Sequence, residues 1–250
     1  VSREKVPPAL GLVAALVILA AWTAGMLLLL TRGDPWAPWA PLAVLLQTFL
    51  HTGLFITAHD AMHGTVWPRR PRVNRAVGRL ALALYALFPF AALEAAHKEH
   101  HRAPASEHDP DYAAGGRTGF WPWYGAFIRR YLSAWQLVGM AAIFNVLEHG
   151  LGLPAPRLVL FWVVPSLLST LQLFYFGTYL PHRPARGRDL AHHDHHRARS
   201  TALSPLGSLL TCYHFGRHWQ HHARPDLPWW RLTEVAAPEP REAGTARGSR

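Results

Sequence analysis

Four apolar runs, each close to the ~20 residues needed to cross the hydrocarbon core of a bilayer, divide the chain. They extend over roughly Pro8–Leu30, Trp39–Thr57, Tyr131–Leu147 and Leu158–Leu180, and the segments between them are dense in arginine and histidine. The reversal "TRGDPWAPWAP" after the first run is rich in proline and tryptophan, as expected where a chain turns in the headgroup region, and "EHGLGLPAPR" does the same for the last pair. The pattern therefore predicts an all-α integral membrane protein with four transmembrane helices in two hairpins. A further apolar run, Ala76–Leu93, is long enough to be a fifth span. Were it to cross, the histidines of "HDAMHG" before it and "HKEHH" after it would face opposite sides of the membrane. Arg75, Arg79 and Pro89 suit instead a helix that lies in the interface.

Charge gives this arrangement a direction. The 250 residues carry a formal net charge of +10. Positive residues gather at one set of helix ends: Arg3 and Lys5; Arg69, Arg70, Arg72, Arg75 and Arg79; Arg129 and Arg130; Arg183, Arg186 and Arg188. The opposite loops hold only Arg32, Asp34, Glu148 and Arg157. That asymmetry follows the positive-inside rule, so both termini and the basic segments are expected in the cytoplasm, and nucleic-acid binding is set aside. The first run is too long for a signal-peptide core and reads as a retained anchor. Residues 1–232 read as one membrane domain, and 233–250, rich in Ala, Pro and charge, as a disordered tail. Cys212 is the only cysteine, which excludes an internal disulfide and a cysteine-built zinc site.

Histidine carries the chemistry. "HDAMH" sets His59 and His63 at i, i+4 where the second run ends; "HKEHH" supplies His97, His100 and His101; "HWQHH" supplies His218, His221 and His222; "YLPHR" ends the fourth run with His182. Residues at i, i+3 and i+4 share one helix face, so each box presents its rings together. Nine imidazoles exceed what one zinc ion takes but suffice for two ions with positions left open. Imidazole alone does not name the metal. A site at the membrane boundary would meet apolar substrates that offer only C–H bonds, and attack on those favours iron and O2 over zinc. Asp60, Asp109 and Asp111 stand close enough to the boxes to accept an imidazole N–H, although Asp109 and Asp111 could equally brace the turn in "EHDPDY". Glu99 falls on the other face of its helix and reads as solvated, and Trp121, Trp123, Trp229 and Trp230 read as interface anchors.

The order H-x-x-x-H, H-x-x-H-H, H-x-x-H-H across paired spans resembles the membrane di-iron desaturase and hydroxylase superfamily. Within it, "FITAHDAMHGTV", "HHRAPASEHDPDY", "FGTYLPHR" and "CYHFGRHWQHH" followed by "PWWRL" resemble the bacterial β-carotene ketolases, over about residues 49–232. The resemblance implies a bacterial inner-membrane oxygenase that converts ring carbon 4 of a carotenoid to a ketone. It implies a cytoplasmic cap of two histidine-held iron ions, O2 as cosubstrate, an external ferredoxin-like electron donor and surrounding lipid. Arg217 and Gln220 depart from that pattern inside the last box, and a neutral Gln220 alters what a neighbouring imidazole can bond to. Ring 3-hydroxylation and acyl desaturation remain the nearest alternatives, and a membrane metal transporter a more distant one. Transport pathways place ionisable groups in mid-span, whereas here they collect at one end. His51 and His149 are placed away from the cluster. His192 and His193 read as loop residues, as does His195; His196 and His214 stay open as further ligands.

Overall fold

The computed structural model describes residues 9–184 and 195–236, and the described residues are helical with no strand among them. The helices are α1 (Leu10–Arg32), α2 (Ala40–Met62), α3 (Pro71–Ala86), α4 (Phe90–Arg102), α5 (Phe120–Tyr131), α6 (Ala134–Asn145), α7 (Ala155–His182), α8 (Pro205–Cys212) and α9 (His218–Ala223). Three of them, α1, α2 and α7, are long and apolar enough to cross a membrane. Leucines and valines such as Val17, Leu28, Leu42 and Leu45 stay exposed on their outer surfaces, as lipid-facing residues would.

The bundle is tied by polar contacts between otherwise apolar helices. Trp22 of α1 donates to His51 of α2 at 3.1 Å, and Thr52 of α2 meets Ser169 and Gln172 of α7 at 2.9 and 2.6 Å. Tyr85 of α3 reaches the same Ser169 at 3.1 Å. Such bonds satisfy polar groups where water is absent and fix which helix faces meet.

Two elements differ from the pattern read in the sequence. The expected span from Tyr131 to Leu147 is interrupted near its start: Tyr131 closes α5, and α6 begins only after Ser133, whose side chain and that of Gln136 form a reciprocal capping box. Helix α6 then runs on through a π turn, Val146–Gly150. It is the shortest of the four apolar elements. Tyr131 bonds to Asp111 beside the histidines, whereas Arg157, just beyond α6, caps the far end of α1 by donating to the Thr31 carbonyl at 2.8 Å. The run from Ala76 to Leu93 is not one helix. Leu87, in the left-handed region at φ 56°, ends α3, Pro89 starts α4, and the two helices are bent by 101°. Helix α3 buries Asn74, Gly78, Ala81, Leu82 and Tyr85 and exposes Arg72, Arg75 and Arg79.

The tail expectation meets the structure only in part. A 3-10 turn covers Trp229–Glu234, so Thr233 and Glu234 are ordered, and residues 237–250 lie outside the described residues, as do Arg3, Lys5, Arg186 and Arg188.

Candidate metal centre

Each histidine box is brought to the centre by a helix end. His59 sits in the last turn of α2 and His63 caps it, after which Gly64, at φ 74°, reverses the chain. The last two turns of α4 present His97, His100 and His101, α7 ends on His182, and α9 carries His218, His221 and His222. The rings form two groups. His59, His63, His97 and His221 make one, His100, His182, His218 and His222 the other, and within each group one ring nitrogen per residue lies within 4.8 Å of the rest. His101 stands between them: its Nε2 is 3.1 Å from that of His97 and 2.9 Å from that of His221, while its ring stacks on His222 with centroids 4.2 Å apart.

The donor set suits cations. Nε2 atoms approach one another in chains, His63 to His97 at 2.7 Å, His100 to His222 at 3.1 Å and His222 to His218 at 3.1 Å. A proton can bridge one such pair at a time, so successive contacts through a single Nε2 leave lone pair facing lone pair. A metal ion at the point of convergence removes that repulsion. Two nitrogens each ~2.1 Å from one ion and at right angles about it would be ~3.0 Å apart, close to the spacings seen. His59 Nε2 is buried with no hydrogen-bond partner, a cost that a metal bond would offset. On α9, burial first and the surrounding imidazoles second hold His218, His221 and His222 well below the usual histidine pKa. They are neutral at physiological pH, the form that binds metal.

Two imidazoles are fixed from behind. His100 Nδ1–H donates to both oxygens of Asp109 at 2.9 and 3.0 Å, and Asp109 is itself held by the backbone N–H groups of Ala105 at 2.7 Å and Asp111 at 2.8 Å. His182 Nδ1–H donates to the Arg197 carbonyl at 2.9 Å. Each bond makes Nδ1 the protonated nitrogen and so turns the Nε2 lone pair toward the centre. Asp111 comes to 3.8 Å from His100 Nδ1, and its Oδ1 accepts the hydroxyl of Tyr131. The Asp60 carboxylate lies 3.9 Å from His59 Nδ1 and accepts the backbone N–H of Trp229 at 3.3 Å. It braces the C-terminal segment against α2.

The remaining histidines separate from the groups. His51 is within the bundle, and His149 lies on the π turn at its far end beside Glu148. His214 packs on Trp229, and His196 lies edge-on to Trp219 with its ring 6.3 Å from that of His222; neither is among the eight histidines of the two groups. His192 and His193 lie outside the described residues. Glu99 pairs with Arg102, and the Gln220 side-chain oxygen accepts the Ser200 hydroxyl.

An apolar cavity of about 440 Å³ opens onto this centre, its lining including His59, His97, His100 and His218 beside Phe55, Leu93 and Phe144. A second cavity of about 840 Å³ lies under the segment from Ala105 to Gly116, lined by Glu107, Arg130 and Arg197, with Asp111 and Phe127 bordering both. Three participants escape a reading of the sequence. The Arg197 carbonyl is a backbone atom and carries no sequence signal. Tyr131 reads as the start of a span. Phe215 packs edge-on to His59, with centroids 5.0 Å apart, only because Gly177 leaves room: a Cβ there would lie 2.1 Å from its ring. The adjacency of Phe215 to the last box was visible, its pairing with a glycine on α7 was not.

Comparison with known sequences agrees with this geometry. The profile of the fatty acid desaturase family matches residues 34–151 and again 117–249. A β-carotene ketolase of Paracoccus sp. (strain PC1) is 47% identical over 186 residues, 74% of this chain and 74% of that protein. β-Carotene 4-ketolase 3 of Haematococcus lacustris is 42% identical over 74% of this chain and 58% of its own length. Zeaxanthin 4-ketolase of Chlamydomonas reinhardtii is 38% identical over 88% of this chain and 49% of its own.

Proposed function

We propose, from the premise that this chain belongs to the fatty acid desaturase family, that it is a β-carotene ketolase, an oxygenase that uses O2 to convert ring carbon 4 of the carotenoid to a ketone. The observation that carries the reading is the apolar cavity walled in part by imidazoles of both groups. A long hydrocarbon offers no charge or hydrogen-bond donor to grip. Positioning must therefore come from the shape of the apolar walls, which hold one carbon against the centre while the rest lies in the cavity or in lipid.

His59, His63, His97 and His221 would hold one iron ion and His100, His182, His218 and His222 the other, with His101 between them. When bound, the iron pair would supply O2 activation and hydrogen abstraction from an allylic C–H. The protein's own part is to fix the rings. Asp109 and the Arg197 carbonyl orient His100 and His182, and the apolar walls exclude water and competing donors. Asp109 acts through His100 and is a positioning residue in this reading.

The finer arrangement belongs to the same proposal. With α6 as the fourth crossing, α1 with α2 and α6 with α7 form two hairpins, and the histidine centre lies on the side of the arginine clusters, which we read as the cytoplasmic face of a bacterial inner membrane. Helix α3 then rests in the headgroup layer with Arg72, Arg75 and Arg79 toward lipid phosphates. Electrons come from an external donor of the ferredoxin type. Expression in cells that already make β-carotene, followed by chromatography with mass detection, tests the reading. Echinenone and then canthaxanthin should accumulate, each ketone marked by one oxygen gained and two hydrogens lost. Zeaxanthin as the main product, or altered acyl unsaturation with unchanged carotenoid, would overturn it.

A further inference from the structure

Among the described residues Asp111 is the only carboxylate lining the apolar cavity, and its surroundings leave it with unused capacity. The other polar side chains there are mostly engaged with neighbours. Tyr85 bonds to Ser169, Tyr124 to Thr170 at 2.7 Å, Ser166 to the Trp162 carbonyl and Thr170 to the Leu167 carbonyl. At Asp111, Oδ1 accepts the Tyr131 hydroxyl, while Oδ2 accepts no hydrogen bond among the described residues and stands 3.8 Å from His100 Nδ1. The Asp111 backbone is fixed as well, its carbonyl accepting the Trp123 indole N–H at 2.8 Å and its N–H donating to Asp109. A rigidly held acceptor thus sits beside a cluster imidazole in a cavity otherwise suited to hydrocarbon. The Asp111 side chain is 16% exposed and borders both cavities, so its Oδ2 is an accessible acceptor that a substrate without hydroxyl groups would leave unused.

We propose that Asp111, steadied by Tyr131, accepts a hydrogen bond from a hydroxyl on the carotenoid end ring and so determines specificity for hydroxylated rings. This rests on the ketolase reading above. Such a hydroxyl has two sources: the C4 alcohol left by the first oxidation, or a 3-hydroxyl already present on the incoming ring. The first source matters to the outcome of the reaction. The alcohol, with O2, two electrons from the donor and two protons, gives the geminal diol and one water, and the diol loses a second water to become the ketone. An enzyme that releases the alcohol early would stop at the hydroxylated product. An acceptor at Asp111 retains it for the second round.

Binding of β-carotene and of its 4-hydroxy and 3-hydroxy derivatives to the iron-loaded protein without O2, followed by the carotenoid absorption shift, separates these roles from turnover. For Asp111→Leu, affinity for a hydroxylated ring should fall about 10- to 100-fold, the worth of a hydrogen bond to a charged group, with β-carotene changed less than about threefold. Tyr131→Phe, which leaves the carboxylate but frees it, should shift the same ratio by about three- to tenfold. With β-carotene supplied in turnover, both variants should raise the ratio of C4 alcohol to ketone if the effect is on the 4-hydroxy ring. If only the 3-hydroxy ring is affected, the acceptor serves incoming hydroxylated substrate. Equal losses for all three carotenoids in both variants would overturn the inference and leave Asp111 a support of the centre. Failure of the unaltered protein to make any ketone would instead overturn the ketolase reading itself.

Discussion

The two imidazole groups are built from the same residue type at the same helix ends, yet they are supported differently. Around His100, His182, His218 and His222 every ring is buried, and two are locked by partners on Nδ1, a carboxylate and a backbone carbonyl. Around His59, His63, His97 and His221 two rings are only partly buried, and the Asp60 carboxylate stops 3.9 Å short of His59 Nδ1. Equal ligand counts therefore do not imply equal sites. Preorganised ligands lose less freedom on binding, so the braced group should hold its ion more tightly, and the unbraced group should be the one that empties first.

The largest effects should come from removing a ligand of the braced group. His100→Ala or His222→Ala should abolish ketone formation and leave well under about one iron per chain, because the weaker first group empties as well, whereas His63→Ala should keep about one, held by the second group. Iron counted per chain in the purified protein checks the contrast, and equal loss in all three would erase the asymmetry. Next comes Asp109→Asn, which keeps shape but weakens the bond to His100. It should lower metal affinity or activity about 10- to 100-fold, while Asp60→Asn, with no imidazole bond to lose, should lower affinity by well under tenfold. Metal titration of the two variants sharpens the comparison. Gly177→Ala should act on stability through Phe215, which must leave its place against His59, at a cost of ~1–3 kcal/mol seen as a lowered Tm. Smallest of all, His149→Ala at the far end should change stability by no more than ~0.5 kcal/mol and activity hardly at all. A loss comparable to that of His222→Ala would mean the division between the two ends of the bundle is wrong.

Much of the site could be read from the sequence because helical spacing and helix ends are local properties. The boxes "HDAMH", "HKEHH" and "HWQHH" announce their shared faces by period alone, and His182 is marked by its position at the close of an apolar run. The span boundaries were less legible. The break before Ala134 depends on a serine and a glutamine three residues apart within an apolar run, a capping pair whose effect outweighs hydropathy. The bend between α3 and α4 had its proline in plain view but not the left-handed Leu87 that completes the turn. What supports the centre was least legible, since Arg197 contributes a backbone oxygen and Tyr131 meets Asp111 across twenty residues. Contacts of that kind are decided by tertiary packing and leave no periodic trace.

Helix α7 winds through two π turns, Val159–Val163 and Tyr175–Tyr179, before it ends on His182. Each such turn accommodates one residue more than an α-turn would, so the helix works as a counter whose final setting aims a ligand. Deleting a single residue within Tyr175–Tyr179 could relax that stretch into ordinary α-helix with little harm to its hydrogen bonding. Four α residues advance the chain by nearly the same turn and rise as five residues of a π turn, so His182 would stay close to the Arg197 carbonyl. A deletion in an α stretch of the same helix would instead turn everything beyond it by about 100° and draw it back by about 1.5 Å, taking His182 out of its group. Chain length in this helix is thus adjustable at the π turns and restricted elsewhere, and single-residue gaps in related sequences should fall at those turns.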